Sequence, residues 1–184
     1  MEKKQRIIRI ITANGVIAAL YVVLTLITQP IAYSYMQFRV SEFLCLLVFF
    51  NPWYTPGLTI GCLLANLFSS VGPIDILFGT LTTLVACLLM IVYSKFIKNL
   101  FSVGFIPCVL NAVVVPFTIY VSTINTNDPM VLTAGLYFTM FGWVFLGEFV
   151  CIIVIGYPLF LVLTKKNQRF NTMVLASRNT DYKW

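Results

Sequence analysis

Arg39 and Glu42 lie three residues apart in Tyr35-Met-Gln-Phe-Arg-Val-Ser-Glu-Phe-Leu44, and the chain on either side is almost wholly apolar. Residues at i and i+3 share a helix face, so this cation and anion can pair. Only 10% of the chain is Asp, Glu, Lys or Arg, so two charges at the head of a hydrophobic segment need a reason. Within a bilayer such groups face a protein interior or a watery cavity and point to a functional site.

Glu148 is the sharpest residue. It falls about 12 positions into the last apolar segment, roughly 18 Å along a helix and near its middle. An ionised group there costs at least about 2.5–3.5 kcal/mol. It reads either as a ligand-contacting carboxylate or partner of Arg39, or as an internal hydrogen-bonding strut. Tyr137, Phe141 and Val144 or Phe145 share its stripe and would line a path to it, whereas Trp143 falls on a neighbouring face at best. Asp75 follows Gly72-Pro73. It suits a helix N-cap or a charge at the positive end of the dipole, and it could also floor a ligand site. Asn66, with Ser69 and Ser70 a turn on, suits interhelical hydrogen bonding or ligand contact. Asn111, nearer the cytoplasmic half, reads as helix glue.

The elements that must position these groups are membrane helices. The chain has 184 residues, 60% hydrophobic, with mean hydropathy +0.94. No soluble domain of that size hides so much apolar surface, and segments apolar on every face favour helices over a barrel. The pattern predicts an all-α integral membrane protein of six transmembrane helices in one compact bundle. They are expected at about residues 9–28, 40–50, 56–70, 74–93, 103–124 and 136–163. The second and third are shorter than a straight span needs, which suits steep packing or partial burial within the bundle. Residues 1–8 and 164–184 then form basic flanks.

Apart from Arg39, the basic residues cluster in three places: Lys3, Lys4, Arg6 and Arg9; Lys95 and Lys98; and Lys165, Lys166, Arg169, Arg178 and Lys183. Six spans put all three clusters on the cytoplasmic side, with both termini. The external loops, near residues 29–37, 69–73 and 123–135, then gather Gln37, Arg39, Glu42, Asn66, Ser69, Asp75, Asn125 and Asp128. An outward-facing polar pocket roofed by loops would suit a solute site.

The chain has no histidine, and its five cysteines form no CxxC pair, which argues against metal, haem or His-dependent chemistry. The cysteines read as buried small hydrophobes. No phosphate-binding loop, dinucleotide fingerprint or Ser/His/Asp set is present, so the chain does not itself hydrolyse ATP. The net charge of +6 is a topology signal and does not suggest nucleic acid. The apolar run over 7–27 is too long for a signal peptide's core, and no small-x-small site follows it. In helix 1, Gly15, Ala18, Ala19 and Thr25 give a strip that admits a close helix, by internal packing or partner docking. A small solute binder without an engine needs one from outside.

Gln37-Phe-Arg-Val-Ser-Glu42, Pro56-Gly-Leu-Thr-Ile-Gly-Cys-Leu-Leu-Ala-Asn66, Asp75-Ile-Leu-Phe-Gly-Thr-Leu-Thr-Thr-Leu84 and Leu146-Gly-Glu148 resemble the QueT family, over residues 11–163. These are S-components of energy-coupling factor transporters, assigned to queuosine precursors. The resemblance implies a multi-pass cell-membrane protein, not an enzyme and without a cofactor. It would capture a vitamin-like solute outside and dock by helix 1 on a transmembrane T-component coupled to two cytosolic ATPases. With this resemblance, docking becomes the preferred reading of the helix 1 strip; Gly15 stands where the family pattern has alanine. The implied substrate-binding set is Tyr35, Gln37, Arg39, Glu42, Asn66, Asp75, Tyr137, Phe141 and Glu148. A carboxylate, Glu148 or Glu42, would accept from the paired N–H groups of a deazaguanine edge, and Tyr35, Tyr137 or Phe141 would stack on the ring. The alternatives are an S-component for another heterocycle and a stand-alone secondary carrier using Glu148 as proton relay.

Overall fold

In the structure, a computed structural model, residues 2–29, 38–69, 71–124 and 131–166 are described. Tyr35, Gln37, Asn125, Asp128 and the tail beyond 166 lie outside them. The described residues are helical: α1 Glu2–Ile27; a 3-10 segment Val40–Leu46 leading into α2 Leu47–Phe50; α3 Thr55–Asn66; α4 Pro73–Phe96; α5 Leu100–Thr123; and α6 Ala134–Phe149. A π-helical segment, Val150–Gly156, carries α6 into α7, Tyr157–Lys166. Among them four stretches are long and apolar enough to cross a membrane: Ile7–Ile27, Pro73–Phe96, Leu100–Thr123 and Ala134–Thr164.

The boundaries follow local chemistry. Asn51 ends α2, and its side chain accepts from the Trp53 amide at 3.1 Å. Gly72, at φ 88°, turns the chain into α4, where Pro73 needs no amide donor. Asn99 caps α5 by accepting from the Phe101 amide at 2.9 Å, and Thr133 caps α6. Two segments differ from expectation. Helix α1 begins at Glu2 rather than near residue 9, and the last helix runs to Lys166 through a π turn.

Packing places the short second segment at the centre. α1 lies on α3, α3 on α4, α4 on α5 and α5 on α6. The segment Val40–Phe50 sits inside this array, against α1, α5 and the π segment. Every residue from Leu44 to Phe50 is buried and belongs to the main hydrophobic core. The 3-10 winding stretches it, rising about 2.0 Å per residue against 1.5 in an α-helix. The outer faces of α1, α4, α5 and α6 carry exposed Val23, Leu77, Val85, Val113 and Leu146, as lipid contact requires.

Close approach fixes α1 on α3. A Cβ at Gly61 would stand 2.8 Å from Tyr21 Cβ, and one at Gly57 would stand 2.7 Å from the Asn14 backbone oxygen. The Asn14 side chain accepts from the Gly57 amide at 2.6 Å and donates to the Trp53 carbonyl at 2.8 Å. Gly61→Leu should therefore force the helices apart and lower stability by about 1–3 kcal/mol, read as an earlier unfolding transition of the purified protein.

Candidate functional site

The interior polar groups form two clusters. The first joins three chain segments where α3 ends and α4 begins. Arg39 precedes the 3-10 segment in extended backbone, so its side chain leaves the helix face it would have shared with Glu42. Its guanidinium donates instead to Asp75 Oδ2 at 2.8 Å. Ser69 donates to the same oxygen at 2.6 Å, and Asn66 Nδ2 donates to the Asp75 carbonyl at 3.2 Å. Asp75 is thus not the N-cap of α4, a place taken by Gly72. It stands in the first turn, favoured by the dipole and 1% exposed. Both members of the ion pair are buried, so each needs the other.

Glu42 has other partners. Tyr21 donates its hydroxyl to Oε1 at 2.5 Å, and the Cys45 thiol donates to Oε2 at 3.3 Å. Both carboxylate oxygens are met from within the protein. The expected Arg39–Glu42 pair is replaced by Arg39–Asp75 and Tyr21–Glu42. Beside them Thr25 and Ser41 join hydroxyls at 2.6 Å.

The second cluster lies between α5 and α6. Asn111 Nδ2 donates to Glu148 Oε1 at 2.8 Å, while Oε2 is buried without a hydrogen-bond partner. Asn111, read from sequence as helix glue, orients the carboxylate as well. The central segment that carries Glu42 packs against α5, which carries Asn111, and against the π segment that follows Glu148. Phe141, Phe145 and Phe149 stack down one face of α6, with centroids 6.2 Å apart at each step. Phe141 and Phe145 pack on Ala112, Val115 and Val144. Tyr137 contributes differently from the expected lining. Pro116 deprives the Ala112 carbonyl of its helical donor and loosens that turn, and the Tyr137 hydroxyl donates to the next carbonyl, Val113, at 2.9 Å. Trp143 points outward.

Of the helix 1 set, Gly15 and Ala19 face outward, whereas Ala18 and Thr25 are packed inside, Ala18 against Gly61 and Thr25 on Ser41. Ala18 and Thr25 are therefore not open to a partner. The five cysteines are free and buried. Among the described residues no group of three or more His, Cys, Asp or Glu could hold a metal.

The model of the QueT transporter family matches residues 11–165. The chain belongs to that family. It is 34% identical over 158 residues to the queuosine precursor transporter QueT of Lactococcus lactis subsp. cremoris, covering 80% of this chain and 92% of that protein. No solved structure matches it. A QueT-family chain with these long apolar helices is a multi-pass cell-membrane transporter, not an enzyme. The family match covers both clusters.

Sequence reasoning missed Tyr21 and Ser41. The available signal was a tyrosine four residues before Thr25 in an otherwise apolar helix, since a buried tyrosine hydroxyl seeks a partner. Replacing Arg39 by Met, or Asp75 by Leu, removes one member of the buried ion pair. Each single change should cost about 3–5 kcal/mol, and the double change much less than the sum, measured as a double-mutant cycle on chemical unfolding.

Proposed function

We propose that this protein is the substrate-binding S-component of an energy-coupling factor importer, and that it captures a queuosine precursor with a 7-deazaguanine base. The observation that carries the substrate reading is the half-satisfied Glu148. Glu42 has both oxygens occupied by Tyr21 and Cys45, so Glu148 Oε2 is the carboxylate oxygen left for a ligand. A deazaguanine edge offers N1–H beside an exocyclic amine, and hydrogen bonds to an ionised acceptor are the strong ones. The Phe141–Phe145 stack offers the flat ring an apolar face. The relative's name, queuosine precursor transporter, supports the same class. Of the remaining implied contacts, Arg39 and Asp75 serve the site by holding α4 to the central segment. Asn66 stays a ligand candidate, and so do Tyr35 and Gln37, whose positions the structure does not describe.

Uptake needs a motor. The four long spans, the buried segment Val40–Phe50 and α3 together make the six membrane passages we infer, with residues 1–8 and 164–184 as cytoplasmic flanks. That topology collects the basic clusters on one side. Gly15 and Ala19, one turn apart and outward-facing on α1, offer a shallow face to a transmembrane T-component, itself joined to two cytosolic ATPases.

Calorimetry on the purified protein with aminomethyl-deazaguanine, queuine, guanine, riboflavin and folate tests the substrate. Selective heat from the deazaguanines is expected. Selective binding of riboflavin or folate would transfer the reading to another vitamin, and silence from folded protein would favour a carrier with Glu148 as proton relay. Glu148→Gln should weaken deazaguanine binding at least about tenfold, as loss of one charge-assisted hydrogen bond implies. For docking, Ala19→Trp should abolish co-purification with the T-component and leave solute affinity unchanged; normal co-purification would refute the α1 face.

A further inference from the structure

Among the described residues, two buried side-chain oxygens besides Glu148 Oε2 have no hydrogen-bond partner: Asn66 Oδ1 and Thr80 Oγ1. Thr80 is unusual for its place. In these helices Thr25, Thr59, Thr82, Thr83, Thr139 and Thr164 all donate to the carbonyl four residues back. That bond is one rotamer away for any helical threonine, yet the Thr80 hydroxyl does not make it. Asn66 is fixed the other way. Its amide nitrogen donates to the Asp75 carbonyl, which can only accept, so the free atom is the oxygen. The two residues stand level: a Cβ on Gly79, next to Thr80, would lie 2.7 Å from Asn66 Nδ2. Unmet polar atoms at one depth inside a membrane protein are costly, and both can accept from a donor, the Thr80 hydroxyl being able to donate as well.

Their depth relative to Glu148 follows from α4 and α5, antiparallel neighbours joined by residues 97–99. Thr80 stands sixteen residues from Phe96, whereas Asn111, the partner of Glu148, stands eleven from Leu100. At the helical rise Thr80 lies about 8 Å further toward the Gly72 turn. A bicyclic base with a one-carbon arm, with a hydrogen bond of about 2.9 Å at each end, is long enough to cover this offset along the helix axis. Among the described residues three buried carboxylates, Glu42, Asp75 and Glu148, stand against one buried guanidinium, Arg39. An arm ending in an aliphatic amine is protonated at neutral pH and brings both donors and the missing positive charge. A nitrile arm brings neither.

We propose that Asn66 and Thr80 form a second subsite, which holds the aminomethyl arm of the deazaguanine while Glu148 takes its base edge. The proposal rests on the deazaguanine reading above and adds residues and an arm specificity to it. The test is calorimetry and competition on the full-length detergent-solubilised protein with 7-aminomethyl-7-deazaguanine, its 7-cyano counterpart and unsubstituted 7-deazaguanine. Thr80→Val removes the hydroxyl at nearly constant shape, and Thr80→Ser keeps it. The Val variant should lose roughly ten- to hundredfold for the aminomethyl base and less than about twofold for the unsubstituted one, with Ser close to the parent. Its ligand-free unfolding midpoint should be unchanged or raised, because an unmet buried hydroxyl is gone. Equal losses for both bases, no loss at all, or a lowered ligand-free midpoint would each overturn the subsite and leave the deazaguanine reading standing. If the parent protein binds none of the three, that reading falls and the subsite falls with it.

Discussion

The bilayer gives a buried polar group no water to turn to, so each must find its partner in the protein. The Arg39–Asp75 ion pair is where this constraint shapes the molecule most. A guanidinium and a carboxylate, 4% and 1% exposed, meet at 2.8 Å across a gap of thirty-six residues. Arg39 begins the central segment and Asp75 begins α4. Ser69 and Asn66 bring the end of α3 to the same carboxyl residue. One acid therefore ties three segments together at one end of the bundle, and the central segment is held there while its apolar length is enclosed.

That closure sets what the other acids can do. With Asp75 engaged by Arg39, Glu42 is free to take Tyr21 and Cys45, which joins the central segment to α1. In the first cluster the Asn66 oxygen is left without a hydrogen-bond partner. Glu148, between α5 and α6, has Asn111 on one oxygen only. The same rule that rigidifies the scaffold thus marks the positions where it is left unmet. A transporter must hold its solute firmly yet release it, and unmet acceptors in a satisfied frame are a direct way to do so.

The backbone carries matching irregularities near this region. Pro107 and Pro116 interrupt the hydrogen-bond ladder of α5 on either side of Asn111. The π segment starts two residues after Glu148, and π turns inside helices often accompany functional sites. The helices that flank the unmet carboxylate are thus the ones that depart from regular winding.

The sequence by itself determined the class of the molecule. Apolar runs of this length have nowhere to lie but a membrane, and their lack of alternation made them helices. It also singled out Arg39, Glu42, Asn66, Asp75 and Glu148, because charges and amides in such runs are too costly to be incidental. The burial of Val40–Phe50 was legible in outline, since a segment too short for a straight span suits steep packing or partial burial within the bundle. The partners were another matter. Spacing put Arg39 beside Glu42, but spacing describes one helix, and Arg39 lies just outside its own. Tyr21 with Glu42, Asn111 with Glu148, and the level placement of Asn66 and Thr80 join residues 14 to 37 positions apart on separate helices. Gly15 and Ala18 look alike in sequence, yet one faces outward and the other packs on Gly61. Helix rotation and crossing decide such things, and they are set by packing against neighbours that no local pattern encodes.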